Sequence, residues 1–169
     1  MLEDFLSYIK ADLSIDLNDK ILLSISGGVD SMVMLDLFVQ SGCQIVVAHI
    51  DHSTRKGQSK KDKEFVESVC AQKEIPFHST TLDSEVLKKG NFQQNAREAR
   101  KDFLAHIADN TSCKWIATAH HLEDRWETFL MHLNRKSGLR GLTSLRSREG
   151  NYIRPLMAFT KAQIKSCDS

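Results

Sequence analysis

The 169-residue sequence lacks several features that would place it in well-defined classes of protein. It has no apolar run long enough to span a bilayer. Its first residues, MLEDFLSYIKADL, mix acidic and apolar side chains in an amphipathic helix pattern that a signal peptide does not show. Its four cysteines lie far apart, without a CxxC pair or a histidine at metal-ligand spacing. We therefore predict a reduced, cytoplasmic protein with no membrane association.

An excess of one charge sign is also missing. The formal net charge is +1 and 27% of the residues are charged, so no overall field marks the chain as a nucleic-acid binder, although local basic clusters stay open. A chain of this length can bury one substantial core, and we expect a single domain over residues 1–169.

Short apolar runs alternate with helical patterns along the chain. The runs predicted to be strands are 21–25, 44–50, 76–82, 115–120 and 152–156. The segment from Thr160 to Gln163 has the spacing of a capping box and predicts a further helix. This alternation predicts an α/β fold, a doubly wound, mostly parallel five-stranded sheet with helices on both faces. Ligands of such sheets bind at the carboxyl ends of the strands.

The first predicted strand runs directly into SGGVDS, residues 26–31, and then into a helix. Unpaired backbone N–H groups at a helix start attract anions, and Gly27 and Gly28 allow a close approach. Ser26 and Ser31 add hydroxyl donors, whereas Asp30 is better suited to a cation such as Mg²⁺ that bridges phosphate oxygens. A glycine turn followed by a helix cap accounts for the same residues about equally well. The GxxxxGK[ST] and GxGxxG patterns are absent.

In its setting after an apolar strand, SGGVDS resembles the pyrophosphate-binding loop of the N-type ATP pyrophosphatases. These enzymes adenylate a carbonyl-type oxygen and let a nucleophile displace AMP. Further segments are similar to those of the tRNA(Ile)-lysidine synthetases and follow in the same order. They are AHIDHSTR (48–55), NFQQNAREAR (91–100), AHHLEDRWET (119–128), SGLRGL (137–142) and IRPL (153–156). Because several motifs follow in the same order as in that family, the similarity is not expected to arise by chance.

The resemblance implies a Rossmann-like fold of the adenine nucleotide alpha hydrolase type, with ATP and Mg²⁺ as cofactors. It implies adenylation of the wobble cytidine C2 oxygen of a tRNA(Ile) with a CAU anticodon. Lysine would then displace AMP to form lysidine. The family's enzymes continue into domains that grip tRNA, so residues 1–169 are interpreted as the PP-loop ATP-pyrophosphatase domain alone, without carboxyl-terminal tRNA-binding domains. A separate RNA-binding partner is an alternative route to tRNA.

The resemblance also assigns candidate site residues. The ATP-binding set is Ser26, Gly27, Gly28, Val29, Asp30, Ser31, His49, Ile50, Arg97 and His120. Asp30 and Asp124 are the expected metal ligands, and Asp30, Asp124 and Glu127 the expected catalytic carboxylates. The tRNA-binding set is Arg55, Arg100, Arg135, Lys136 and Arg140, in a carboxyl-terminal third that is basic overall. Without the resemblance, the acidic residues would be interpreted as stabilising the helix dipole at a helix start. The basic residues would be interpreted as part of a solvated surface.

Some positions depart from the family's pattern. Glu123 replaces Asp, Arg125 and Trp126 replace Gln-Ala, Lys136 replaces Gly and Lys161 replaces Arg. Glu123 lies beside the expected metal site, so a non-catalytic or partner-dependent nucleotide-binding module is one alternative function. A tRNA thiolase of the same superfamily is another, although the scattered cysteines do not indicate cluster ligands.

Overall fold

The computed structural model describes residues 1–51, 58–82, 92–124 and 146–167, and helices and strands alternate through these ranges. The elements are α1 (Leu2–Ala11), β1 (Ile21–Ser24), α2 (Val29–Ser41), β2 (Ile45–Asp51), α3 (Gln58–Gln72), β3 (Phe77–Thr81), α4 (Phe92–Asn110), β4 (Trp115–Thr118), β5 (Arg148–Glu149), β6 (Tyr152–Ile153) and α5 (Lys161–Lys165). Among the described helices, none is both long and apolar enough to cross a membrane.

The described strands form one sheet in the order β3-β2-β1-β4-β6-β5. Each neighbouring pair is parallel except β5 and β6, which are antiparallel. The predicted doubly wound, mostly parallel sheet is confirmed, but its predicted strand count is one short. The additional strand, β5, consists of Arg148 and Glu149, which are both exposed. Two charged residues carry none of the apolar alternation from which strands are predicted.

Both faces of the sheet are packed against helices. Ile21 and Leu23 of β1 belong to the apolar cluster on one face, and Leu22 belongs to the cluster on the other. Helices α1, α2, α3 and α5 contribute to the first cluster, and α4 contributes Leu104 and Ile107 to the second. Successive strand residues point to opposite faces, so a strand buried on both sides is apolar throughout.

The amino end of β4 is held by a polar cluster around Trp115. Its Nε1 donates to Asp19 Oδ2 at 2.9 Å, and Lys114 Nζ contacts both Asp19 carboxylate oxygens at 2.9 Å. The Arg148 guanidinium lies 4.4 Å from the Trp115 ring centre and donates to the Leu13 carbonyl at 3.1 Å. Arg148 therefore stabilises the fold at the amino end of β4, away from the carboxyl ends of the strands.

Phe38 anchors α2 in the core, and its replacement should be costly. Phe38 has no exposed surface, and its ring meets Phe5 edge-on with the centroids 5.1 Å apart. We expect Phe38→Ala to lower the free energy of unfolding by about 3–5 kcal/mol, because it leaves a cavity. Phe65→Ala on α3, where the side chain is 51% exposed, should change it by no more than about 0.5 kcal/mol. Urea unfolding measures both, and equal losses would contradict this placement.

Candidate functional site

A cleft opens at the carboxyl ends of β1, β2 and β4. Its lining residues are Ser24, Ile25, Ser26, Ser31, Ile50, Arg100, Thr118, Ala119 and His120. β2, the next strand along the chain, lies on one side of β1, and β4 lies on the other side. This reversal of strand order is where open α/β sheets bind their ligands. The cleft lies at the edge that the sequence pattern predicts.

The loop from β1 to α2 depends on Gly27. This residue has a φ of +89°, in the left-handed region that favours glycine. A Cβ on Gly27 would stand 3.0 Å from the Cβ of Asp62 on α3. Glycine is therefore required at this position by backbone conformation and by the close approach of a second helix.

The two serines close the loop through their hydroxyl groups. Ser31 Oγ donates to the Gly28 carbonyl at 2.8 Å and accepts from the Ser26 backbone N–H at 3.2 Å. Ser26 Oγ lies 3.1 Å from Ser31 Oγ and accepts from the Gly28 N–H at 3.3 Å. Gly28 is the N-cap of α2 and offers no side-chain cap. The first turn of α2 can therefore present its backbone donors to an anion.

His49 supports this loop from the neighbouring strand. Its Nδ1 lies 2.9 Å from the Ile25 carbonyl oxygen, so Nδ1 carries the proton and donates. The side chain is buried, and its Nε2 has no hydrogen-bond partner. His49 is not among the residues that line the cleft. The assignment of His49 to ATP binding stays a prediction. Its observed contact is the hydrogen bond to the Ile25 carbonyl, just before the loop.

A cluster of ionisable side chains surrounds the end of the loop. It consists of Asp30 of the loop with His121, Glu123 and Lys161. Lys161 Nζ makes a close ion pair with Asp30 Oδ2 and lies 3.5 Å from His121 Nε2. The Lys161 backbone N–H donates to both carboxylate oxygens of Glu123, at 2.9 and 3.0 Å. His121 is buried, with Nδ1 3.2 Å from Glu123 Oε2 and Nε2 3.8 Å from Asp30 Oδ2. The cluster links the loop, the exit of β4 and the start of α5.

Sequence reasoning missed Lys161 as a site residue. The predicted capping box is confirmed: the Gln163 N–H donates to Thr160 Oγ1, and the Thr160 N–H donates to Gln163 Oε1. This motif fixes the first residue of α5, which is Lys161. The signal for a helix start was therefore present in the sequence, but nothing in it indicated that the side chain reaches Asp30.

Two carboxylates near the loop have backbone partners. The Lys161 N–H, with a smaller effect from His121, lowers the pKa of Glu123. Asp124 Oδ2 accepts from the His121 backbone N–H at 2.8 Å. Glu123 therefore stays ionised and holds α5, and Asp124 caps the helical residues 122–124 with one of its oxygens.

The oxygens of Asp30 differ in a way that suits a shared metal ion. Oδ2 is paired with Lys161, whereas Oδ1 is buried and has no hydrogen-bond partner. Within the described ranges, no three His, Cys, Asp or Glu side chains are grouped to hold a metal ion by themselves. Mg²⁺ in nucleotide sites needs only one or two carboxylates in addition to phosphate oxygens. Asp30 Oδ1 therefore fits one ligand position of a nucleotide-bound Mg²⁺.

The cleft also contains a histidine and an arginine. His120 Nδ1 lies 2.9 Å from Thr118 Oγ1, and burial, with the nearby charge of Arg154, lowers the pKa of His120 from its usual value of 6.5. Arg100 lines the cleft although much of its side chain is exposed, and partial burial and repulsion from Arg97 lower its pKa. Arg97 is exposed and is not a lining residue. The structure thus brings Arg100 to the cleft, although the sequence assigned Arg97 to ATP and Arg100 to tRNA.

Some predicted site residues lie outside the described residues. They are Arg55, Glu127, Arg135, Lys136 and Arg140. Their assigned roles stay predictions. Of the remaining residues assigned to ATP binding, Val29 is 41% exposed at the start of α2, and Ile50 lines the cleft from β2.

A parallel α/β sheet with a glycine–serine loop entering a helix at its switch point defines a class of nucleotide-binding proteins. The PP-loop domain family matches residues 2–168, and the chain belongs to that family.

Curated relatives indicate which branch of the family is similar. The tRNA(Ile)-lysidine synthase of Chlorobaculum tepidum is 38% identical over 153 residues, which cover 86% of this chain and 46% of that protein. The tRNA(Ile)-lysidine synthase of Thermosipho africanus is 35% identical over 172 residues, covering 98% of this chain and 40% of that protein. The chain thus spans less than half the length of these relatives.

Solved structures agree with the fold. The U34-tRNA thiolase NcsA from Methanococcus maripaludis, solved with its [4Fe-4S] cluster, matches with a TM-score of 0.76 at 18% identity, over 98% of this chain and 61% of that chain. The NH3-dependent NAD synthetase of Campylobacter jejuni matches with a TM-score of 0.63 at 12% identity, over 98% and 69%. At these identities the likeness shows the fold alone.

Replacing Gly27 should damage the loop more than replacing a glycine that has open space. Gly42 has a φ of +74° with nothing near a Cβ, so Gly42→Ala should cost about 1–2 kcal/mol of unfolding free energy from backbone strain alone. Gly27→Ala should cost at least about 1 kcal/mol more, because it also meets Asp62. Denaturant unfolding of the two variants provides the comparison. A smaller loss for Gly27→Ala would contradict the close packing of loop and α3.

The lowered pKa of His120 predicts a pH dependence of stability. As the pH falls below 6.5, the unfolded chain takes up a proton that the folded site refuses, so the free energy of unfolding falls until the folded-state pKa is passed. His120→Gln should remove this part of the dependence, whereas His106→Gln on the exposed side of α4 should keep it. Denaturant unfolding between pH 7.5 and pH 5 at roughly half-unit steps tests this. Parallel slopes in all three proteins would refute the assignment.

Proposed function

We propose that this chain is the catalytic domain of an ATP-dependent tRNA-modifying ligase of the cytoplasm. It adenylates the C2 oxygen of the wobble cytidine of tRNA(Ile) with a CAU anticodon and joins lysine to that carbon, forming lysidine. AMP and pyrophosphate are released. The observation that carries the proposal is the hydroxyl-closed Ser26–Ser31 loop at the cleft, in a chain similar to tRNA(Ile)-lysidine synthases.

The loop's part is to bind the pyrophosphate portion of ATP. Backbone donors in the first turn of α2 offer hydrogen bonds beside the cleft, which Ser26 and Ser31 line, while the hydroxyl groups of these two serines hold the loop in shape. When the cytidine C2 oxygen attacks the α-phosphorus, the bond to pyrophosphate breaks and negative charge grows on the leaving group. Donors that are already in position stabilise that charge without reorganisation.

Arg100 and His120, which also line the cleft, bind the nucleotide. Arg100 keeps its charge and can pair with phosphate oxygens, a task for which its planar guanidinium is well shaped. His120 is uncharged at neutral pH because its pKa is lowered. Its ring is oriented by Thr118, so it serves as a hydrogen-bonding group and adds no cation.

The second step needs a base near the reaction centre. The lysine amine attacks C2, the bond from C2 to the AMP oxygen breaks, and the amine must lose a proton. Asp124, at the exit of β4, is the described carboxylate proposed to take it, together with Glu127. Asp30 and Asp124 would hold Mg²⁺, which neutralises phosphate charge when it is bound.

Contact with tRNA is proposed for the basic residues assigned from the sequence. They are Arg55, Arg135, Lys136 and Arg140, with Arg100 reaching from the cleft. Because the curated relatives are more than twice as long as the matched region, tRNA affinity is proposed to depend on further sequence or on a separate RNA-binding partner.

No specific observation favours either alternative function, the non-catalytic module or the thiolase. Glu123, the departure that suggested a non-catalytic module, has a defined contact with the Lys161 N–H and leaves Asp124 in place. The four cysteines are free, and Cys43, Cys70 and Cys113 are buried. In the described part of the chain they are not grouped with other metal-ligating side chains, so nothing favours a thiolase over a ligase.

The reaction test is the formation of AMP and pyrophosphate from Mg-ATP and tRNA(Ile)-CAU with and without lysine. We expect AMP formation to require both lysine and the CAU anticodon. Asp124→Asn should lower the rate at least about 100-fold by removing a proton acceptor. Asp109→Asn, at an exposed position on α4, is the matched control and should keep the rate. ATP binding without lysine-dependent AMP on any tRNA, even at protein and tRNA concentrations high enough to offset weak tRNA affinity, would reject the ligase in favour of the binding module.

A further inference from the structure

Asp30 presents an electrostatic problem for the loop that contains it. The loop is built to attract an anion, yet Asp30 places a carboxylate in the first turn of α2. Like charges at close range repel strongly where water is partly excluded. An uncompensated Asp30 would therefore oppose the phosphates that the surrounding backbone donors attract.

Lys161 supplies the compensating charge. Its ammonium pairs with Asp30 Oδ2, and the two side chains are 40% and 23% exposed. His121 Nε2 lies 3.5 Å from the ammonium and 3.8 Å from Asp30 Oδ2. The pair thus lies in a partly buried setting, where screening by water and salt is weaker than at an open surface.

The position of Lys161 does not depend on Asp30. Its backbone N–H is held by both Glu123 oxygens, and the Thr160–Gln163 capping box fixes the helix that it begins. Ile164, on the same short helix, is fully buried in the core. The backbone from which the Lys161 side chain extends is therefore held in place by contacts other than the ion pair with Asp30.

The ion pair occupies only one oxygen of Asp30. Oδ1 is buried and has no hydrogen-bond partner. An ammonium on one oxygen neutralises the carboxylate and still leaves the other available to a magnesium ion. The two oxygens of Asp30 therefore have different surroundings, since Oδ2 is paired with Lys161 and Oδ1 has no hydrogen-bond partner.

We propose that the Lys161 ammonium is the resident counter-ion of the loop, so that this chain binds ATP without a divalent cation and uses magnesium for the reaction. The inference rests on the proposed ATP site and specifies how that site balances its charge. Removing the ammonium should make nucleotide binding dependent on the metal, because only a divalent cation could then offset Asp30.

The test is calorimetric titration of ATP into the protein in excess EDTA and, separately, in excess magnesium. We expect the unchanged chain to bind ATP in both buffers. Lys161→Met should weaken binding at least about tenfold in EDTA and less than about threefold in magnesium, where the metal takes over the compensation. Lys161→Arg should retain binding in EDTA. Lys165→Met, at an exposed position on the same helix, is the matched control and should behave like the unchanged chain.

A variant of Asp30 makes the test independent of whether Lys161→Met folds. In Asp30→Asn the opposing charge is gone and the ammonium remains, so ATP affinity in EDTA should equal or exceed that of the unchanged chain. Adding Lys161→Met should then return the affinity to about that of the unchanged chain, well above that of Lys161→Met alone. Equal losses for Lys161→Met in both buffers, no loss in EDTA, or weaker binding by Asp30→Asn in EDTA would each overturn the inference. An unchanged chain that binds Mg-ATP but no ATP in EDTA would overturn it and leave the proposed function standing. Failure to bind Mg-ATP would defeat both.

Discussion

The parallel pairing of β1 on both sides is the constraint on which the site depends. Residues 21–24 pair with residues 45–48 of β2 and with residues 115–118 of β4, all in parallel register. Parallel strands end at the same edge, so the loop after β1, Ile50 of β2 and His120 after β4 surround one cleft. β2 and β4 lie on opposite sides of β1, and this reversal of strand order is where open α/β sheets bind their ligands. The topology thus brings residues from three distant parts of the sequence together.

The loop is held by groups from three other elements. His49 of β2 donates to the Ile25 carbonyl, α3 packs Asp62 against Gly27, and α5 brings Lys161 to Asp30. Six residues of small or polar type would have many conformations in isolation. Contacts from a strand and two helices select one of them, so the conformation of the loop is a property of the whole domain as well as of the motif.

The sequence predicts the parts of this arrangement that local patterns encode. Buried parallel strands are apolar throughout, and the capping box before α5 has its own spacing, so both are predicted correctly. The exposed pair of charged residues in β5 has no such pattern. Arg97 and Arg100 are three residues apart on α4, and only the packing of that helix determines that Arg100 lines the cleft. Lys161 and Asp30 are 131 positions apart, so their contact has no local signal.

The departures at positions 123 and 161 belong to one structural feature. The longer Glu123 side chain accepts the Lys161 backbone N–H through both carboxylate oxygens, and its Oε2 faces the buried His121 ring. A carboxylate engaged in this way supports α5 and has less capacity to bind a cation. Asp30 Oδ1, in contrast, is buried without a partner. The contacts of the two acids therefore differ: Glu123 holds the start of α5, from which Lys161 reaches Asp30, whereas Asp30 has one oxygen paired with Lys161 and one without a hydrogen-bond partner.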